Sequence, residues 1–263
     1  MPSMRTTFSL ITVVVVVGLL GGMLVMQAVG RKLGERDRRL DPEHKDSGSG
    51  AAEAAVIALL GLLVAFTFSG AGSRYDARRQ QIIAETNAIG TAWRRIDLLP
   101  PNRQPEIRDL FRQYADNRLE TFRSVDDMAG ISANIARGQA LQQRIWSLSV
   151  AAAGESGQTP PFTLLVPALN EMIDLAAARN AASRIHPPGA VFFLIGVLAL
   201  VAAMFAGYSM ADQKVVSLVH RFGFPAVMTV AVFLILNFEF PRLGLIRIDS
   251  MDQLMIDVRR AMN

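Results

Sequence analysis

The chain has 263 residues, of which 51% are hydrophobic, and it carries a formal net charge of +4. It contains no cysteine, which excludes a disulfide framework, a thiolate metal site and a cysteine nucleophile. The mean hydropathy of +0.29 agrees with residence in a membrane, although a large buried core would give a similar composition.

Four uncharged apolar stretches lie two near each end of the chain. Residues 6–30, 54–73 and 187–211 each hold at least 20 positions without a charge, and residues 222–238 hold 17. A bilayer core of roughly 30 Å needs about 20 helical residues, so each stretch is long enough to cross once. The sequence therefore predicts four transmembrane helices. We expect the first to be a permanent span, because its apolar run is longer than that of a signal peptide.

The segment after the first span differs from the segment after the second. Residues 31–50 are charged and end in a Ser/Gly linker, which predicts a short flexible loop. After the second span, apolar positions recur at spacings of three and four, which predicts a helix that continues straight out of the membrane and stops at Pro100. These positions are Ile82, Thr86, Ile89, Trp93 and Ile96.

Three further amphipathic helices are predicted before the third span. Asn102 can cap the first of them, Gly154 to Gly157 separates the second from the third, and Thr159 opens the third. Their apolar faces comprise, in order, Ile107, Leu110, Phe111, Tyr114, Phe122 and Val125; Ile131, Ile135, Leu141, Ile145 and Leu148; and Leu165, Leu169, Met172 and Leu175. Such stripes cannot be buried singly, so these helices must form a bundle with each other or with neighbouring subunits.

These elements predict an all-α protein with a helical soluble domain inserted between the second and third of four transmembrane helices. We expect a transmembrane hairpin over residues 1–73, the soluble domain over 74–186, a second hairpin over 187–240, and a tail with a short helix over 241–263. An even number of spans places both termini and the soluble domain on one side of the membrane. Basic residues near the membrane ends are almost equally numerous on the two sides, so the positive-inside rule does not assign the sides.

Nothing in the sequence indicates an enzyme. The three histidines, His44, His186 and His220, fall in separate segments without metal-ligand spacing. There is no glycine loop that would cradle phosphate, and no complete nucleophile elbow. We therefore expect no catalytic residue, no metal site, no cofactor and no nucleic-acid partner.

Two segments carry a resemblance to a known family. ALLGLLVAFTFSGAGSRYDARRQ, from Ala58, and NFEFPRLGLIRIDSMDQLMIDVRR, from Asn237, are similar to a large group of bacterial membrane proteins called bestrophin-like, or the domain-of-unknown-function 4239 family. The Tyr75–Asp76 junction also resembles the end of the pore helix in bestrophin ion channels. The pair of aromatic residues usual after this Tyr-Asp is absent, since Ala77 and Arg78 follow here.

The resemblance implies a homo-oligomer, a pentamer, around a central axis lined by the second span. Matching Phe66 to the neck phenylalanine of bestrophins places Ala58 and Leu62 on the same helix face at steps of four, so these three residues are the expected pore neck. The alternative is that Phe66 and Phe68 pack between helices or face lipid. Calcium control is not expected, because the segment after the fourth span is basic and its acids stand singly.

Several further residues have two interpretations. An ion vestibule below the neck would be lined by Arg74, Arg78, Arg79, Glu85 and Asn87, since like charge on a concave wall concentrates counter-ions; the alternative is an ordinary solvated helix face.

Close helix packing and buried ion pairing are also predicted. Gly18 and Gly22 form a small-xxx-small pair that permits close helix packing, within or between subunits. Glu53 and Glu239 are costly near hydrocarbon, so each is expected either to pair with an arginine, Arg242 in the case of Glu239, or to select ions.

The sequence as a whole favours an oligomeric ion channel that passes small inorganic ions, anions weakly preferred, through an apolar neck. Its expected partners are the lipid bilayer, further copies of itself and those ions. The alternative is a non-conducting membrane sensor or scaffold whose helical domain binds a partner or ligand. The resemblance implies the inner membrane of a bacterium, with the termini and the helical domain in the cytoplasm.

Overall fold

The computed structural model describes residues 3–40, 49–123, 128–212 and 217–263. Within these residues the chain forms α-helices and short helical turns, with no β-strand. The eight α-helices are α1 (Met4–Leu40), α2 (Ser49–Arg95), α3 (Gln104–Arg123), α4 (Met128–Ser156), α5 (Val166–Ala182), α6 (Gly189–Ser209), α7 (Leu218–Glu239) and α8 (Asp252–Arg260). The all-α prediction is confirmed.

The described residues form two compact units. The first, here called the membrane unit, comprises Thr7–Arg74 and His186–Phe240. The second, here called the polar unit, comprises Met1–Thr6, Tyr75–Ile185 and Pro241–Asn263. By length and composition, α1, α2, α6 and α7 can each cross a membrane, which agrees with the four predicted spans.

Helix α1 is longer than the predicted span. Residues 31–50 are predicted as a loop, whereas α1 continues as far as Leu40. The extension contains no proline, and Arg31 Nε donates to Glu35 Oε1 at 2.9 Å one helical turn further on. The helix therefore runs beyond the apolar stretch, and residues 41–48, including His44, lie outside the described part.

The prediction of one helix leading out of the second span is confirmed. Helix α2 has 47 residues, from Ser49 to Arg95, and is followed by a 3₁₀ turn over Ile96–Leu98. At a rise of about 1.5 Å per residue, a helix of this length is more than twice as long as a bilayer core is thick. One continuous helix therefore contains both the apolar stretch and the polar positions after it.

The membrane unit is held together by small residues as well as bulky ones. Its buried core comprises Met23, Leu60, Ile195, Ala199, Ala202, Ala203, Met228 and Val232. Helices α1 and α6 cross with their backbones in contact: a Cβ atom on Gly30 would lie 1.9 Å from the carbonyl oxygen of Met204, and one on Gly207 would lie 2.0 Å from that of Gln27. Only glycine fits at these two positions.

The polar unit has its own core. Apolar side chains of α2, α3, α4 and α5 meet there, among them the fully buried Ile89, Phe111, Ile145 and Leu169. Most of the residues predicted to face this core are buried, but Val125 lies outside the described residues. The C-terminal segment also joins the polar unit, because Met255 and Met262 are buried in the same core and Arg259 Nε donates to Asp116 Oδ1 of α3 at 2.8 Å.

Candidate functional site

The predicted neck residues lie on a side of α2 that the rest of the membrane unit does not cover. Leu62 is 51% exposed and Phe66 is 68% exposed, and Ala58 is exposed as well. Ser69 and Ser73 follow on the same side, three and seven positions after Phe66, and both are exposed. Along this side α2 therefore changes from apolar to hydroxyl-bearing residues.

The exposed residues of α2 and α1 differ in size. In the apolar half of α2 most of them are small: Gly50, Ala51, Ala52, Ala54, Ala55, Ala58, Gly61, Ala65, Ser69 and Ser73. On α1 most are bulky aliphatics: Leu10, Ile11, Val13, Val14, Val15, Val17, Val25 and Val29. Small residues let helices approach closely in a membrane, whereas lipid contact makes no such demand. The surface of α2 thus suits contact with other helices, and that of α1 suits lipid.

The close helix contact within the membrane unit differs from the predicted one. A Cβ on Gly22 would meet the Leu200 side chain at 3.0 Å, but one on Gly18 would meet no described atom within 4 Å. The backbone contact lies instead at Gly30 and Gly207, because the helices are closest there. Gly18 therefore does not serve packing within the protomer, and its use between subunits stays a prediction.

The acidic residue at the end of the fourth span is paired, but with a different arginine from the one predicted. Arg74 donates to Glu239, with Nη2 2.9 Å from Oε2, and His186 Nδ1 lies 2.9 Å from Oε1. The Glu239 side chain is fully buried and that of Arg74 is 31% exposed. Arg242 pairs with Asp249 and Asp252 in the polar unit instead. Glu53 accepts a 2.5 Å hydrogen bond from the Ser209 hydroxyl.

Two of the five predicted vestibule residues are exposed within the polar unit. Asn87 is exposed on α2, and Arg79 is about half exposed, with Nη1 3.3 Å from Asp76 Oδ1. Arg78, by contrast, is buried and donates from Nη2 to the carbonyl oxygen of Ile185 at 3.0 Å. Among the three predicted vestibule arginines, Arg79 is therefore the most exposed.

Glu85 does not line an open vestibule in the protomer. Its side chain is fully buried and accepts hydrogen bonds from Arg118 Nε at 2.5 Å and from Arg179 Nη1 at 2.7 Å. Burial disfavours the charged carboxylate, but the two guanidinium groups outweigh this effect and hold the pKa of Glu85 below its ordinary value of 4.5. This residue therefore ties α2 to α3 and α5, which corrects the predicted exposed position.

An aromatic ring and the C-terminal segment extend this buried cluster. The guanidinium carbon of Arg179 lies 3.5 Å from the centre of the Phe122 ring, and those of Arg118 and Arg242 lie 4.8 and 5.1 Å from it. Arg242 Nη2 donates to Asp252 Oδ1 at 2.9 Å, and Arg179 Nη2 lies 3.8 Å from the same oxygen. A continuous chain of charges thus runs from Arg242 through Asp252 and Arg179 to Glu85.

The described residues contain no group of histidine, aspartate and glutamate side chains that could hold a metal ion. The acids after the fourth span, Asp249 and Asp252, pair with arginine. His186 pairs with Glu239, whereas His44 and the side chain of His220 lie outside the described part.

The fold and the uncovered side of α2 define an all-helical integral membrane protein with four apolar helices. The bestrophin-like domain model matches residues 13–251. The chain belongs to the bestrophin-like family. No curated protein matches it in sequence.

Solved structures share this fold. A crystal structure of a membrane protein gives a TM-score of 0.70 at 11% identity, covering 94% of this chain and 97% of that one. Two structures of a bacterial bestrophin homolog from Klebsiella pneumoniae give TM-scores of 0.69 and 0.66, at 11% and 12% identity. They cover 94% of this chain and 97% and 96% of theirs. At these identities the similarity concerns the fold.

Proposed function

We propose that this protein is a homo-oligomeric channel for small ions, in which α2 of each copy lines a shared apolar neck formed by Ala58, Leu62 and Phe66. Membership of the bestrophin-like family supports an ion-channel kind of function. The observation that carries the proposal is the uncovered side of α2, on which an exposed Phe66 stands among alanine, glycine and serine.

The chemistry of this side fits a channel wall better than a lipid contact. A single protomer leaves Phe66 68% exposed, and the small residues around it allow α2 helices of neighbouring copies to pack closely. Ser69 and Ser73, beyond Phe66 on the same side, offer hydroxyl groups to water. Lipid tails offer no hydrogen bonds to these two hydroxyl groups, so contact with lipid does not explain them.

The neck would gate by dewetting. A narrow ring of apolar side chains offers no hydrogen bonds to replace the hydration shell of an ion, so water and ions leave when it narrows and return when it widens. Such a ring discriminates weakly by charge. A weak preference for anions would come from Arg79, whose guanidinium is about half exposed near the start of the polar part of α2.

The remaining parts of the proposal follow the family resemblance. The oligomer has five copies, the membrane is the inner membrane of a bacterium, and the termini and polar helices are cytoplasmic. The described protomer is all-helical, and four of its helices have the length and composition needed to reside in such a membrane.

Ion flux through reconstituted liposomes tests the neck. Phe66→Ala removes a ring of large side chains, so we expect faster flux than in the wild type. Phe193→Ala is the matched control, because Phe193 is similarly exposed, at 74%, but lies on α6. Unchanged flux in Phe66→Ala, with the oligomer intact, would remove Phe66 from the neck.

A particle image of the assembly tests the class of function. We expect α2 helices to surround an axis that encloses water. A solid centre, or a lone protomer with α2 against lipid, would contradict the channel and favour a non-conducting scaffold.

A further inference from the structure

The polar unit contains a cavity of about 390 Å³ whose wall is rich in arginine. Its lining residues include four arginines, Arg5, Arg123, Arg242 and Arg247, and two aspartates, Asp249 and Asp252. Four positive and two negative charges leave a net charge of +2 on the wall. Ser250 and Gln253 add a hydroxyl and an amide. The cavity therefore presents excess positive charge and neutral hydrogen-bond donors to its contents.

The two carboxylates do not make it a cation site. Asp252 accepts hydrogen bonds from Arg242 Nη1 at 3.0 Å and from Nη2 at 2.9 Å, and Asp249 pairs with both Arg242 and Arg247. Each guanidinium has five N–H donors in a planar fork, and the ion pair of Arg247 with Asp249 engages one nitrogen of that fork. Planar forks match the oxygen atoms of phosphate two at a time.

Two arginines of the cavity wall, Arg5 and Arg242, lie close in the chain to apolar segments. Arg5 lies two residues before the start of the membrane unit, at Thr7, and Arg242 lies two residues after its end, at Phe240. Consecutive Cα atoms are about 3.8 Å apart, so each arginine is within about 8 Å of the end of an apolar segment. Lipid phosphate groups lie near the ends of segments that cross a bilayer, so a lipid headgroup is one source of anion to test.

We propose that this arginine-lined cavity binds a phosphate-type anion, either free phosphate or the phosphate of an acidic lipid headgroup. The proposal does not depend on the channel function, because it concerns binding to one protomer.

Binding of an anion in the cavity would change the ion pairs that reach α2. An anion that draws Arg242 towards itself weakens the hold of Arg242 on Asp252, whose Oδ1 lies 3.8 Å from Arg179 Nη2. Arg179 in turn donates to Glu85 of α2 at 2.7 Å. Occupancy of the cavity thus alters the charges around Glu85. Through these contacts the bound anion would regulate the function of α2.

The first test measures thermal unfolding of the purified full chain in detergent with inorganic phosphate, against chloride at equal ionic strength. The double variant Arg123→Gln with Arg247→Gln removes two wall charges without touching Arg242, which is held in the buried cluster. The matched control is Arg137→Gln with Arg260→Gln, two exposed arginines outside the cavity. We expect phosphate to stabilise the wild type and the control, and its apparent Kd to rise about tenfold or more in the cavity variant.

A second arm identifies the source of the anion. The protein is exchanged into vesicles of phosphatidylglycerol and phosphatidylcholine, and the phosphatidylglycerol retained after re-extraction is measured by native mass spectrometry. Retention that the cavity variant loses and the control keeps, without an effect of inorganic phosphate, assigns the site to a headgroup. An effect of inorganic phosphate that the cavity variant loses shows that free phosphate suffices.

The proposal is overturned if neither probe binds, or if both bind the cavity variant as tightly as the wild type. Should the double variant not fold, Arg123→Gln alone, at an exposed position, gives the same readout.

Discussion

The Glu85 carboxylate of α2 accepts a 2.7 Å hydrogen bond from Arg179 of α5, 94 positions away in the chain. Both side chains are buried, and Arg118 of α3 donates to the second carboxylate oxygen at 2.5 Å. One carboxylate therefore joins three helices of the polar unit.

Replacing Glu85 should destabilise the polar unit strongly. Glu85→Gln keeps the shape of the side chain but removes the carboxylate that the buried Arg118 and Arg179 share, and breaking a buried ion pair typically costs about 3–5 kcal/mol. We expect a clear drop in the midpoint of thermal unfolding in detergent. Glu155→Gln is the control, because Glu155 pairs with Arg103 at 2.6 Å on the exposed surface, and it should change the midpoint little.

The same cluster predicts sensitivity to acid. The folded-state pKa of Glu85 is lowered from 4.5, so its stabilising contribution is complete above the unfolded pKa and is lost as the pH falls through the lower folded value. Unfolding midpoints measured from pH 7 down to about pH 3 should therefore fall more steeply in the wild type than in Glu85→Gln. Parallel curves for the two proteins would show that Glu85 does not carry the acid response.

Helix packing in the membrane unit should tolerate substitution at one glycine and not at another. A Cβ on Gly207 would lie 2.0 Å from the carbonyl oxygen of Gln27, so Gly207→Ala must push α1 and α6 apart, at about 1–3 kcal/mol or more. Gly18→Ala meets no described atom within 4 Å in the protomer. We expect a lower unfolding midpoint only for Gly207→Ala. A loss of oligomer in Gly18→Ala, with a stable protomer, would assign Gly18 to a subunit contact.

Replacing Arg74 and replacing Glu239, the two partners of an ion pair in the membrane unit, should lower stability by unequal amounts. Arg74→Gln removes the guanidinium that donates to the fully buried Glu239 carboxylate, which costs up to about 3–5 kcal/mol. Glu239→Gln leaves a guanidinium that is 31% exposed and can reach water. The unfolding midpoint should thus fall further in Arg74→Gln. Equal losses would mean that burial of Glu239 does not decide the effect.

Charge selection should depend on Arg79 rather than on Arg78. Arg79 is about half exposed, so Arg79→Gln should lower the anion preference seen as the reversal potential in a salt gradient. Arg78 is buried against the Ile185 carbonyl, and its replacement should lower stability first. A reversal potential that does not move in Arg79→Gln would count against a basic vestibule.

Hydropathy and periodicity of the sequence were sufficient to predict the main helices. The four apolar stretches predict α1, α2, α6 and α7, and the spacing of Ile82, Ile89 and Trp93 predicts that α2 continues beyond its span. These features depend on residues near one another in the chain, so a local pattern determines them. The end of α1 was missed because charged residues with good helix propensity, unlike proline, do not stop a helix.

The sequence also contained a signal that three charged residues are buried, namely Glu85, Arg118 and Arg179. Each occupies a position on the apolar stripe of its own helix: Glu85 is three residues after Ile82, Arg118 is four after Tyr114, and Arg179 is seven after Met172. Charges in a core register are costly unless paired, so opposite charges on three such stripes indicated a buried cluster. The stripes alone did not say which charge meets which.

The sequence by itself determined that this protein is helical, has four helices long and apolar enough to cross a membrane, and belongs among the bestrophin-like proteins, because apolar length, helical period and local motifs are properties of neighbouring residues. Only the tertiary structure decided that Arg74 rather than Arg242 meets Glu239, that Gly30 and Gly207 rather than Gly18 carry the close backbone contact, and that Glu85 is buried. Such pairings depend on how helices far apart in the chain cross and rotate, and no local spacing encodes that geometry.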